Sequence, residues 1–284
     1  MFDLVLENEK GQQIKLTNNN DYAITDMDGL NPPSASIVTS ETSLFDGAKF
    51  VSSKTETRQL DIAIAIQRNA EENRIALYNV VRTKQYIKVS YKNGRRDVFI
   101  EGYVSDFNID YFAQMQEATI SILCPEPYFK DAEEIIAGVN LIIAKFTFPF
   151  AIEATKKVTL GEYEEVLEAN VVNDGDVESG MVIEIHANGE VKNPVIYNRE
   201  TTEFFGLDIE LEQGDSVYIN TTVGQKSVQL FRDAEYINIF NYIKQYSTWL
   251  QLAQGDNIFT YEADEDTTSN MDVTFTYRHL YQGV

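Results

Sequence analysis

The sequence predicts a mainly β protein of two domains, an α+β half built on a mainly antiparallel sheet and then a β-sandwich. Three observations carry this. Asn93-Gly94 sits between the runs 86–91 and 98–104, and that pair tolerates the positive φ angles of a tight hairpin turn. From residue 166 onward, short runs recur between turns rich in Gly, Asn and Asp, the spacing of a sandwich. Between the two regions stands Cys124-Pro125-Glu126-Pro127-Tyr128-Phe129. Proline has no amide donor and pushes the residue before it out of helical geometry, so neither a helix nor a central strand passes this point. The break places residues 1–134 in a first domain, 135–145 in a linker and 146–284 in a second.

In the first half, 2–6 and 13–16 flank Lys10-Gly11 and read as an opening hairpin that lays Phe2, Leu4 and Leu6 on an edge strand. Asp28-Gly29-Leu30-Asn31-Pro32-Pro33 is a loop, and Asp46-Gly47 a second turn. Leu60, Ile62, Ile64 and Ile66 alternate as one buried face of a strand. Asn69 with Glu72 three residues on has the form of a capping box opening a helix over 70–83, whose Leu77 and Val81 share a face. The 86–104 hairpin follows, and 118–123 is the last core strand. In the second half, strands are expected at 166–172, 181–187, 194–197, 204–211, 216–220 and 227–231. A short helix is expected at 238–246, with Ile239, Phe240 and Ile243 inward, and 271–280 closes the sheet.

The 284 residues carry 23 basic and 45 acidic side chains, a net charge of −22. Residues 1–134 hold 14 and 21 of these, residues 135–284 only 9 and 24. A duplex is held chiefly by cations on its phosphates, so specific nucleic-acid binding is not expected. The basic residues that do cluster, Arg82, Lys84, Lys88, Lys92, Arg95 and Arg96, lie on and around the 86–104 hairpin. They read either as a solvated face or as a surface that meets the carboxylates of a neighbouring copy. One cysteine, Cys124, excludes an internal disulfide and reads as a small buried hydrophobe. The start of the chain has no basic region followed by an apolar run, so no signal peptide is evident. The apolar stretch 135–150 is interrupted by Asn140, Lys145 and Pro149 and is too short to span a membrane, so no insertion is expected.

No catalytic, cofactor or metal site is expected. His186 and His279 are the only histidines and lie far apart, and neither 173–176 nor 262–266 has the ligand spacing of a calcium loop. No nucleophile elbow or phosphate loop is present. The carboxylates of an acidic sandwich could be imagined as a glycosidase pair, but spacing in sequence cannot test their separation. Aromatic residues of the second half, Trp249 and Tyr281 among them, could stack on sugars, although such residues more often fill sandwich cores. A carbohydrate-binding module for host cell-wall sugars is therefore the alternative reading, and a wall-degrading hydrolase a more distant one.

Gly29-Leu30 with Pro32-Pro33, Asp46-Gly47, Arg58 opening a strand, the helix around Arg74, Gly102-Tyr103 and the 124–129 run occur in an order that resembles the distal tail proteins of siphophages. Asn193-Pro194, Gly214-Asp215 with Asn220-Thr221, Trp249 and Leu252 before Gly255-Asp256-Asn257, and Tyr281 before Gly283-Val284 extend the resemblance along the chain. The resemblance implies a tail-tube-like antiparallel β-sandwich with one helix and a long hairpin, then a galectin-like β-sandwich. It also implies a homohexameric ring at the virion tail tip, assembled in the host cytoplasm from a phage, prophage or tail-like bacteriocin. Its implied partners are the tail tube protein, the tail-associated lysin or fibre protein, and receptor-binding or baseplate proteins. DNA would pass through the channel, with acidic residues of the first half facing the lumen. Phe2, Leu4, Leu6, Lys88, Lys92, Arg95 and Arg96 are the candidate subunit contacts. Some relatives carry an inserted carbohydrate-binding module, for which this chain has no run long enough.

Overall fold

Alternation along Arg58–Ile66 buries Leu60, Ile62 and Ile64 completely on one face, and the first sheet is assembled around that strand. The computed structural model describes residues 2–41, 46–113, 115–138, 141–144, 161–164 and 168–284. They form two units, Met1–Glu133 with Leu280–Val284, and Glu134–His279.

The first unit comprises β1 (Asp3–Asn8), β2 (Gln13–Lys15), β3 (Tyr22–Asp28), β4 (Ala35–Glu41), β5 (Ala48–Thr55), β6 (Arg58–Ile66), α1 (Ala70–Val80), β7 (Tyr86–Lys92), β8 (Asp97–Ile109), β9 (Glu117–Cys124) and β10 (Phe129–Asp131). The sheet order is β2-β1-β7-β8-β9-β6-β3, all antiparallel, with β10 and Leu280–Tyr281 attached beside β8. Leu4, Leu6, Ile87, Val89, Ile120 and Ile122 fill its core, each stabilising the fold by about 1.5–3 kcal/mol through burial. Strand β1 is therefore not an edge: it pairs with β2 on one side and β7 on the other. Helix α1 forms where expected and buries Leu77, but it stops at Val80, and Val81 is buried in extended conformation just beyond it. The capping box does not form. Asn69 is left-handed, with φ 45°, and its side chain makes no cap hydrogen bond.

The Asn93-Gly94 hairpin is present with a different turn. Lys92 pairs with Asp97, so four residues span the connection, and the Asn93 Oδ1 accepts the amides of Arg95 and Arg96, each at 2.8 Å. The asparagine carbonyl closes the loop by itself, and positive φ is not needed. The double-proline run ends β9 as expected but does not end the unit. Phe129–Asp131 rejoins the sheet through Lys130 opposite Phe99 and Asp131 opposite Val98.

The second unit contains β11 (Ile135–Gly138), β12 (Leu141–Ala144), β13 (Gly161–Glu164), β14 (Glu168–Asn173), β15 (Met181–Ala187), β16 (Val191–Asn198), β17 (Phe204–Gly206), β18 (Glu210–Leu211), β19 (Ser216–Asn220), β20 (Ser227–Arg232), β21 (Glu235–Asn238), β22 (Gly255–Asp264) and β23 (Met271–Tyr277). One sheet runs β11-β23-β15-β19-β20-β21 and the other β14-β22-β16-β17, with β18 on β16; β12 and β13 pair with each other. Phe259 and Phe275, one from each large sheet, stack at 4.9 Å inside the core. The linker expected at 135–145 begins instead as β11, paired to β23, while residues 139, 140 and 145 lie outside the described residues. The start expected for the second domain, at 146, and the first two residues of the strand expected at 166–172 also lie outside them.

No helix forms over 238–246. The Asn238 side chain accepts the Phe240 amide and leaves a single 3-10 turn, Phe240–Tyr242, after which Ile243 bridges Leu207 in extended form. Ile239 is buried as expected, whereas Phe240 is about half exposed. The run 204–211 is two short strands rather than one, and 255–264 is a ten-residue strand. Its buried Asn257 has its amide tied to the carbonyls of Ala253, Gly255 and Val171, so this turn signal serves the core. The last five residues, expected in the second domain, belong to the first unit.

Candidate assembly site

Within the first unit, β4 and β5 form a separate two-stranded sheet. Every residue of β4 and all of β5 but Thr55 are exposed, with Ile37 at 64%, Phe50 at 60% and Val51 at 57%. Strands of this length reach roughly 25 Å. A lone hairpin is marginal in water, and natural proteins do not leave long apolar edges bare without a use for them.

The root of this arm is built with care. Glu56 donates its amide to the Ser34 carbonyl at 2.9 Å. Beside it Arg58, only 3% exposed, donates Nε to the Pro127 carbonyl, Nη2 to that of Gln282 and Nη1 to that of Asn31, each at 2.6 Å, and Nη1 also to that of Gly29. Its guanidinium lies 4.7 Å over the Phe129 ring. Burial lowers its pKa, with no carboxylate among these partners. One side chain thus joins the 29–31 loop, the double-proline run and the tail 280–284. Gly29 completes the clamp: its φ is +89°, and a Cβ there would stand 2.2 Å from the Gln59 carbonyl oxygen.

Phe2, Leu16, Tyr22, Ile24, Met27 and Leu30 line an open apolar trough of about 560 Å³. It runs along β3, the terminal strand of the sheet, which pairs only with β6 on this path. Asp26 also lines it, and Asp28 ends the strand. The exposed arm carries Lys49 and Lys54.

The candidate contact residues divide. Leu4 and Leu6 are fully buried, so they hold the core and cannot touch a neighbour. Phe2 stacks on Tyr91 at 5.2 Å and faces the trough. Lys92 is paired with Asp97, Lys88 lies 4.1 Å over Phe99, and Arg96 lies 3.7 Å over Tyr281, while Arg95 is exposed. Within the basic cluster, Glu7 and Glu101 flank Lys88 across the sheet. Glu101 is itself tied to Tyr86 at 2.6 Å and to Lys130 at 2.9 Å. Burial acts to raise its pKa, but the hydrogen bonds from Tyr86 and Lys130 outweigh it and hold the carboxyl below its usual value. Burial pushes the Cys124 thiol up to about 12, an inert group at neutral pH. The arm itself was missed by reading the sequence. Asp46-Gly47 was its one visible signal.

In the second unit, Asp264 binds Asn193, Glu265 binds Lys192 and Glu262 binds Tyr197, so this acidic run ties β22 to β16. Among the described residues no group of three His, Cys, Asp or Glu side chains could hold a metal ion, and no helix is long and apolar enough to cross a membrane.

Comparison with known proteins agrees with this architecture. A family model described as the phage tail protein RIFT-related domain matches residues 9–124, and one described as the siphovirus-type tail component, C-terminal domain, matches residues 174–281. Two such domains in this order define a siphovirus-type tail component. The chain belongs to the siphophage distal tail protein family. The crystal structure of the SPP1 Dit (gp 19.1) protein, described as a paradigm of the hub adsorption apparatus in phages infecting Gram-positive bacteria, is similar with a TM-score of 0.67 at 12% identity over 99% of both chains. Chains in the phage P2 baseplate, in its activated conformation with Ca or with Sr, are similar over 100% of both chains, with TM-scores of 0.55 and 0.56 at 11% and 12% identity. These likenesses are of fold. No curated protein matches.

Proposed function

We propose that this protein is the structural hub of a phage or phage-like tail tip, with no catalytic role. Six copies of the first unit close a ring that continues the tail tube and receives the tail-associated fibre or lysin protein. The second units dock baseplate or receptor-binding proteins. The observation that carries this reading is the β4–β5 arm, an apolar hairpin left bare beside an apolar trough on the same unit. A protruding arm and a trough at separate places on one chain can make a head-to-tail contact, which generates a ring when the rotation closes. Lys49 and Lys54 on the arm, which also carries Glu41 and Asp46, can pair with Asp26 at the trough. Lys88, Lys92, Arg95 and Arg96 add a salt-sensitive contact to an acidic surface of the neighbour, and acidic side chains of the first unit face the channel, so that DNA passes without adhering.

The test is solution mass by light scattering, alone and with purified tail tube protein. The full chain is expected at six times its single-chain mass, dissociating more readily as salt rises. The double variant Ile37→Asp, Phe50→Asp is expected at single-chain mass with an unchanged circular dichroism spectrum. A parent chain that remains single in both conditions, or a double variant that still forms the ring, refutes the proposal.

A further inference from the structure

Alternation in the six-stranded sheet of the second unit sends Ile183, Ile185, Val217, Ile219, Leu230 and Phe275 into the core, so the residues between them share the opposite face. Cross-strand register lays that face out in rows. One row runs Thr274, Glu184, Tyr218, Gln229, Asn238, and the next runs Asp272, His186, Ser216, Phe231, Tyr236. Tyr236 is 63% exposed, and its ring lies 4.9 Å from Phe231 and 6.0 Å from Tyr218. Beside these rings the polar groups are already oriented: Tyr218 donates its hydroxyl to Glu184 at 3.0 Å, and His186 Nδ1 meets Ser216 Oγ at 2.9 Å. Asn188 donates to Asp272 at 2.7 Å.

We infer that this sheet face is a binding site for an uncharged oligosaccharide. A pyranose ring offers an apolar C–H face with hydroxyls at its rim. The exposed Tyr236 ring, with Phe231 and Tyr218 tilted 49° and 52° against it, supplies an apolar surface of matching kind. Glu184, His186, Gln229 and Asn238 supply acceptors and donors within one or two strand spacings, each able to serve adjacent hydroxyls. Charge selects among sugars. The two rows contain Glu184 and Asp272 and no lysine or arginine, so a polymer bearing phosphates or uronates is repelled where a neutral one is accepted. Arg232, the nearest guanidinium in the strand, follows the parity of buried Leu230 and is bound by Asp215. The inference concerns the second unit alone and holds whether or not the first unit closes a ring.

The test titrates the full chain, by calorimetry and tyrosine fluorescence, with neutral oligomers of glucose, galactose, rhamnose and N-acetylglucosamine, and with a glycerol-phosphate polymer as the anionic probe. At least one neutral oligomer is expected to bind with a dissociation constant on the order of 1 mM or tighter, and the phosphate polymer is not. Tyr236→Ala, on an exposed position where the fold tolerates truncation, is expected to weaken binding at least about tenfold at unchanged circular dichroism, and Tyr236→Trp to retain it. The inference is overturned if no neutral oligomer binds up to about 10 mM, if the phosphate polymer binds instead, or if Tyr236→Ala binds like the parent.

Discussion

The first unit contains two long hairpins of opposite character. In β7–β8, Ile87, Val89, Val98 and Ile100 are all buried, strands β1 and β9 flank the pair, and the chain itself provides every neighbour the hairpin needs. In β4–β5, Ile37, Val38, Phe50 and Val51 are exposed and the pair stands as its own sheet. The same backbone ladder therefore serves two ends. One hairpin is finished by folding and the other is left exposed, and the difference lies in whether the apolar side chains share one face with a core behind it.

That contrast can be broken by substitution. Val89→Asp places an unpaired carboxylate in the core and is expected to cost more than about 4 kcal/mol, unfolding the first unit in a urea titration. Phe50→Asp in the same assay is expected to stay within about 0.5 kcal/mol of the parent at concentrations where the chain is single. Equal losses for the two would show that the arm is packed within its own chain.

The root of the arm comes next in size. Arg58→Met leaves four carbonyls without their donor and is expected to cost about 3 kcal/mol, read as a lower urea midpoint with new proteolytic cuts at the 29–31 loop. Arg58→Lys is expected to recover little of this, because an ammonium cannot reach the same fork of acceptors.

The smallest effect is electrostatic. Glu101 is held below its ordinary pKa, so it stabilises the fold fully above the unfolded value of about 4.3, and that stability is lost as pH falls through the folded value. Lys130→Met is expected to flatten the dependence of melting temperature on pH below about 5, by a degree or two given the partial exposure of the carboxyl. An unchanged slope would assign the lowered pKa to Tyr86 and Lys88.

How far the sequence could be read follows the same division. Strand β6 was legible because Leu60, Ile62 and Ile64 face one core, and helix α1 because Leu77 and Val81 fall one turn apart in sequence, although only Leu77 lies within the helix. The arm was illegible. Its apolar residues come as adjacent pairs, Ile37-Val38 and Phe50-Val51, among serines and threonines, and a strand with no buried face leaves no period to detect. Asn69 misled because its backbone is left-handed rather than in the extended geometry usual for a capping residue, and its side chain makes no cap hydrogen bond. Of the candidate contact residues, Leu4 and Leu6 were assigned to an edge because the pairing of β1 with β7 joins segments about 85 positions apart in sequence, which local pattern does not reveal. Arg58 was noticed as the residue opening a strand, but its acceptors at 29, 31, 127 and 282 are brought together only by the fold.

The pairing of Phe129 with Tyr281 and of Lys130 with Leu280 sets an order on biosynthesis. A ribosome must translate all of Glu134–His279 between the two halves of that ladder, roughly ten to thirty seconds at ordinary elongation rates. Until then Arg58 lacks its Gln282 acceptor and the loop beneath the arm lacks Val284, so a nascent chain presents its sticky hairpin on an unfinished base. The base of the arm is therefore finished only once residues 280–284 have been made.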